Sequence, residues 1–348
     1  MTFEDDIKKL HEMLQGACLV EFSTIPAYLT GWWSIKDRRS TAAKLLRELV
    51  TVEMRHLSIA ANVLIATGGE PDIHAVAALD YPRSFVAPGP LTIHLLPFGK
   101  PFLNMGMTIE SPGDATPCVP KEDAEVMLAQ SPEYDPQPPT LITFGAKETI
   151  GEFYRSLMKH LDACVAQYGE NKVFPKGGRV ERQYAYFGQD RITVQSRDEA
   201  DALMQDIIWE GEGDGGGILD SNRDLSHFFT FHELSVGRFY KPDDKPCQPT
   251  GDTFPVPEGD GVVDTLPDPK VAAYAKYPAA VKAAGEFTDL YGQMITDLDA
   301  GFKGNPDLVD RAVGRMRQLL ARADAVLDCE LTDRQKYAAP TFELPAKK

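Results

Sequence analysis

Two helix-like runs carry residues out of keeping with a buried face. In "LVTVEMRHLSIAANVL", residues 49–64, Glu53 and His56 interrupt an apolar stripe formed by Ala42, Leu46, Leu49, Ala60 and Val63. Residues three apart share one face of a helix, so the two side chains address one point in space. A carboxylate is almost never fully buried unless it is paired or binds a metal, so the pattern predicts a cation opposite. Glu21 breaks the spacing of Leu10, Leu14, Ala17, Thr24 and Tyr28 in the same way. Further along, "ETIGEFYRSL" offers Glu148 and Glu152, and "DLSHFFTF" offers Asp224 and His227, a second carboxylate-x-x-His. Carboxylates neutralise divalent cations, imidazoles add nitrogen donors, and open positions accept oxygen or substrate. The metal charge offsets burial that would otherwise protonate Glu21 or Glu53.

The fit is uneven. Glu152 lies with Thr149, Ser156, His160 and Ala163 on a small, polar helix face, away from the apolar line of Ile150, Phe153, Leu157, Leu161 and Cys164. Glu148, one turn earlier, is its alternative. Asp224 is a short carboxylate that also suits a plain N-cap. Glu210 and Glu212, in "WEGEGDGGG", are substitutes on a backbone that glycine frees. His11, His74, His94, His160 and His232 are assigned no chemistry.

Helices are expected over about 3–32, 39–67, 146–168 and 197–240, the last broken by the glycine run, with two more over about 278–328. A proline-rich insertion, about 71–139, reads as a long irregular excursion with one or two strands, suited to a lid over a pocket. "GGRVERQYAYFGQDRITVQ" alternates as a small β-hairpin, and Ser196 with Glu199 reads as a capping box. The chain is expected to form one mostly α domain, 1–348.

A hydrophobic fraction of 43% with 25% charged residues excludes wholesale disorder. The net charge of −16 argues against nucleic acid and against an anionic membrane surface. No uninterrupted apolar run approaches the roughly 18 residues of a membrane span, and "MTFEDDIKKLHEML" lacks the pattern of a signal peptide. A cytoplasmic protein is expected. Cys18, Cys118, Cys164, Cys247 and Cys329 are scattered singly, which supports neither a zinc ribbon nor a disulfide framework.

In chain order the candidate ligands are Glu21, Glu53-x-x-His56, Glu152 and Asp224-x-x-His227. Ferritin-like di-iron and di-manganese four-helix bundles use one glutamate from each of two helices and a Glu-x-x-His pair from each of the others. Several blocks extend the likeness: "VEFSTIPAYLTG", "VEMRHLSIAANVLIATGGEP", "FLNMGMTIESP", "TIGEFYRSL", "EGEG", "DLSHFFTFHEL" and "APTFE". Together they resemble the ferritin-like domain of the iminophenyl-pyruvate dimer synthases of violacein and rebeccamycin biosynthesis. The resemblance implies a helical bundle, places Glu212 near the site, and implies iron and the oxidative coupling of amino-acid-derived imines. The chain departs from that family at Glu210, where glutamine is expected, and at Asp224, where glutamate is common. The expected activity is therefore the broader one, an oxidoreductase with one or two iron or manganese ions. Its expected partners are a small organic substrate and dioxygen or peroxide, with self-association open.

Overall fold

The first helix starts where two side chains trade backbone partners. Thr2 Oγ1 accepts from the Asp5 N–H at 3.2 Å, and the Asp5 carboxylate accepts from the Thr2 N–H at 3.0 Å, a closed capping box. In a computed structural model, which describes residues 2–87, 89–112, 118, 120, 127–128, 140–142, 149–213 and 216–345, this helix, α1, runs Phe3–Ser34. Pro26 lies inside it and cannot donate to the Phe22 carbonyl, while Thr30 donates its hydroxyl to the Pro26 carbonyl at 2.8 Å. Helix α2, Thr41–Ala66, begins at Ser40, whose hydroxyl accepts from the Ala43 N–H. It stops before Gly68, whose φ of +95° suits a residue without Cβ. By length and composition α2 is apolar enough to cross a membrane, yet 78% of its apolar window is buried inside the protein.

The described part of the proline-rich insertion carries regular elements that its sequence does not suggest. It holds α3 (Ile73–Ala77), strands β1 (Arg83–Ala87) and β2 (Gly89–Ile93), and a helix of nearly three turns, α4 (Lys100–Ile109). Strand β1 pairs antiparallel with β2 and parallel with β3 (Thr140–Ile142). Fully buried Arg83 ties this segment to α1 by donating to Ser23 Oγ at 2.9 Å and to the Leu79 carbonyl at 2.6 Å.

Helix α5 (Ile150–Tyr168) and the short α6 (Glu170–Val173) lead to a two-residue hairpin, β4 (Tyr186–Phe187) and β5 (Asp190–Arg191). The expected fourth helix is two helices, α7 (Arg197–Glu212) and α8 (His227–Val236). Ser196 caps α7, but Glu199 accepts from the Gln195 N–H rather than closing a capping box. Helix α4 packs on α8 at Gly106, where an added Cβ would sit 2.4 Å from the Phe231 ring. Helices α9 (Pro278–Phe302) and α10 (Asp307–Leu327) form a hairpin clamped by Asp297, which receives Arg311 and Arg315. Strands β6 (Glu330–Leu331) and β7 (Lys336–Tyr337) close the described chain.

The long helices bury a continuous apolar core. One cysteine expectation fails here. Cys118 and Cys247 form a disulfide across 129 residues, a separation that leaves no short spacing motif to read. Cys18 and Cys164 are buried free thiols.

Candidate metal centre

Helical phase decides what meets in the interior. On α1 the same face carries Glu21, Thr24 and Tyr28, and on α2 it carries Glu53 and His56. The C-terminal end of α4 adds Glu110, and the first residue of α8 is His227. All five candidate donors, Glu21, Glu53, His56, Glu110 and His227, are buried. His56 Nδ1 faces Glu21 Oε2 at 3.5 Å and Glu53 Oε1 at 3.9 Å. His227 Nδ1 lies 2.7 Å from Glu53 Oε1 and 3.7 Å from Glu110 Oε2. Glu53, His56 and His227 each present a ligand atom, and the three atoms lie within 4.8 Å of one another.

Glu53 Oε1 and His227 Nδ1 stand at ion-pair distance, 2.7 Å, without a well-formed hydrogen bond. Each is a buried polar atom with no hydrogen-bond partner among the described residues. Such orphans are costly in a protein interior. Two of them aimed into the same space fit a cation between them.

A second layer of side chains holds the donors in place. Thr24 donates to Glu53 Oε2 at 2.8 Å, Tyr154 of α5 to Glu21 Oε1 at 2.6 Å, and Tyr28 to Glu110 Oε1 at 2.5 Å. The other nitrogen of His56, Nε2, meets Glu210 Oε2 at 2.6 Å. Arg55 grips both oxygens of Glu210 at 3.0 Å. Imidazole ligands are commonly oriented by a carboxylate on the far nitrogen, and the chain Arg55, Glu210, His56 has that form. The cavity between the donors measures about 20 Å³ and is lined also by Ile109, Ile207 and Glu212, close to the room needed by one water.

Electrostatics follow from burial and proximity. Burial raises the pKa of Glu53, the charge of Glu110 adds to that, and His227 and His56 oppose it. For His56 burial acts downward, but its contacts with Glu21 and Glu210 prevail and leave it well above the ordinary value. For His227 burial again acts downward, and the charge of Glu53 with the contacts to Glu110 lifts it to about 10. Burial first, then the neighbouring carboxylates, pushes Tyr28 and Tyr154 well above the ordinary phenol. Protonated imidazoles thus supply positive charge that a metal ion can replace.

Of the residues expected from sequence, the structure brings together Glu21, Glu53, His56 and His227. It places Glu152 and Asp224 elsewhere. Glu152 is exposed and closes the capping box of α5, exchanging bonds with Thr149; a Thr-x-x-Glu spacing favours that role. Asp224 is exposed, in the turn before α8, where its backbone N–H donates to Asp220 and its carbonyl accepts from the Asp220 N–H. Glu148 lies outside the described residues. Glu212 borders the cavity but accepts from the Gly151 N–H and Thr149 Oγ1, both at 3.1 Å, and from Arg155 at 3.0 Å. An added Cβ on Gly151 would sit 2.3 Å from its carboxylate, so glycine there makes room for Glu212. Of the two glutamates in that segment, Glu210 is the one that touches His56. Glu110 was missed. Its only sequence signal is a carboxylate ending an apolar run, "FLNMGMTIE", inside a stretch read as irregular.

A family model described as "Ferritin-like" matches residues 14–236, which span every candidate donor. A solved structure, a ferritin-like protein from Caulobacter vibrioides, superposes with a TM-score of 0.59 at 19% identity, covering 96% of this chain and 98% of that one. No curated protein matches the chain.

Proposed function

The chain belongs to the ferritin-like family, and from that premise we propose a metal-dependent oxidoreductase. Iron is the favoured metal and manganese the alternative, since both accept mixed carboxylate and imidazole ligands. Glu21, Glu53, His56, Glu110 and His227 would hold one or two ions. The observation that carries the reading is the buried pair Glu53 Oε1 and His227 Nδ1, 2.7 Å apart and each without a hydrogen bond among the described residues, beside a carboxylate-lined cavity. When bound, such a metal supplies redox chemistry with dioxygen or peroxide. The chain's own residues fix the donors: Thr24, Tyr28 and Tyr154 hold carboxylate oxygens, and Glu210 holds the His56 tautomer that leaves Nδ1 free to donate its lone pair. Tyr28 and Tyr154 keep their protons, since burial beside carboxylates resists ionisation.

A small organic molecule is the proposed substrate. Oxidative coupling of amino-acid-derived imines is the narrower form of the same proposal, supported by the sequence blocks shared with the iminophenyl-pyruvate dimer synthases. Self-association belongs to the proposal too, and against the cytoplasmic residence expected from sequence stands one covalent bond. The Cys118–Cys247 disulfide weighs against a reducing compartment, and thiol trapping in acid-quenched cells reads the compartment directly.

The test is metal stoichiometry after anaerobic ferrous or manganous loading. Wild type should retain metal through desalting, and His56→Ala should lose most of it. Retention of full stoichiometry by His56→Ala would remove His56 from the ligand set, and no retained metal in wild type would leave a non-catalytic binding protein.

A further inference from the structure

A second cavity lies on the other side of α1 and α2 from the candidate metal centre. It measures about 730 Å³, lies between these helices and the α9–α10 hairpin, and opens to solvent on one side. Its phase explains its separateness. Glu21, Thr24, Glu53 and His56 face inward, while Phe22, Ile25, Met54 and Leu57 from the same helices line this cavity. The opposite wall is Leu298 together with Met294 and Met316, the two methionines carrying flexible thioethers that adapt to irregular shapes. The volume falls within the range of small-molecule sites, which are mainly apolar with a few polar groups.

Three polar features stand in this apolar wall. Tyr291 is 2% exposed, and its hydroxyl has no hydrogen-bond partner among the described residues. Trp32 Nε1 is likewise buried without one. At the rim stand Arg47 of α2 and Arg317 of α10, and no ion pair joins either guanidinium among the described residues. Asp310 also lines the rim, but its carboxylate receives the Tyr184 hydroxyl at 2.9 Å. In a chain with 52 acidic and 36 basic residues, two arginines left without carboxylates beside one apolar opening mark a local reversal of charge.

We infer that this cavity binds a medium-chain alkyl carboxylate, with the chain among the methionines and leucines and the head group between Arg47 and Arg317. The arginine fork matches a carboxylate, and a concave, mainly apolar cavity of this volume suits an alkyl chain better than the flat face of a second copy.

The test uses the full-length protein and displacement of a dansyl-labelled undecanoate by dodecanoate. One saturable site per chain is expected, with dodecanol weaker by about tenfold or more, the loss of roughly one charged hydrogen bond. Arg47→Glu with Arg317→Glu should weaken dodecanoate similarly. Both positions are exposed, so the variant should melt near wild type. Leu298→Trp should fill the cavity and block the probe while metal content is unchanged. Absence of saturable binding, equal affinity for dodecanol, or an unaffected charge-reversed variant would each overturn the inference. So would a concentration-dependent dimer, seen by sedimentation, that the charge reversal dissociates and dodecanoate does not, since the face would then belong to a second copy.

Discussion

Glu210→Gln removes one charge while keeping shape, and so isolates the orienting role of this side chain. The native carboxylate meets His56 Nε2 at 2.6 Å and Arg55 at 3.0 Å on each oxygen. An amide has one acceptor oxygen. Turned toward His56, it sets its NH2 against the Arg55 donors; turned toward Arg55, it sets that NH2 against His56. One charge-assisted bond is lost either way, and such bonds contribute about 1.5–3 kcal/mol. Outer carboxylates on ligating imidazoles are worth about 10–100-fold in metal affinity, or roughly 1.4–2.8 kcal/mol, so the two estimates agree. Competition against a chromophoric chelator should therefore show Mn(II) bound about 10–100-fold more weakly, with stoichiometry at saturation unchanged. Affinity within about twofold of wild type, about 0.4 kcal/mol, would show that Glu210 does not orient His56. A lowered saturation stoichiometry would show it to be a ligand itself. Either result refutes the assignment.

Metal affinity should rise with pH, because His227, lifted to about 10, is protonated at neutral pH and must release that proton; calorimetry in buffers of different ionisation enthalpy counts the protons. The sign for the metal-free fold is opposite: a raised histidine pKa stabilises fully below the ordinary 6.5 and loses that contribution as pH climbs toward about 10, which urea melts across that range will register. Glu152→Ala should cost about 0.5–2 kcal/mol by opening the α5 capping box, and neither it nor Asp224→Ala should change metal stoichiometry. Cys118→Ser should lower unfolding free energy by about 2–5 kcal/mol without altering metal content, read by denaturant titration.

Periodicity made α1, α2, α9 and α10 legible, because long amphipathic runs with clear ends leave little choice. Glu21, Glu53 and His56 were legible for the same reason: each replaces a hydrophobe at a position whose phase is fixed by its neighbours. Glu152 shows the limit of residue type and order. It has the right chemistry, but the first turn of a helix offers a carboxylate the backbone N–H groups of its own cap, and that local bond wins. Glu110 was hidden because proline-rich flanks masked a short helix whose stability comes from packing against Phe231, a contact distant in sequence. The Cys118–Cys247 pair was hidden for a similar reason, since its proximity is made by the whole fold.

The 20 Å³ chamber has a kinetic meaning. Ions and diatomic gas fit it; anything bulkier meets Ile109, Ile150 and Ile207 first. The organic substrate proposed above would need more room than this, and outward breathing of the first turn of α5, undoing the stitches from Thr149, Gly151 and Arg155 to Glu212, would supply it. Turnover would follow solvent viscosity, with the doorway rather than the bond chemistry keeping time.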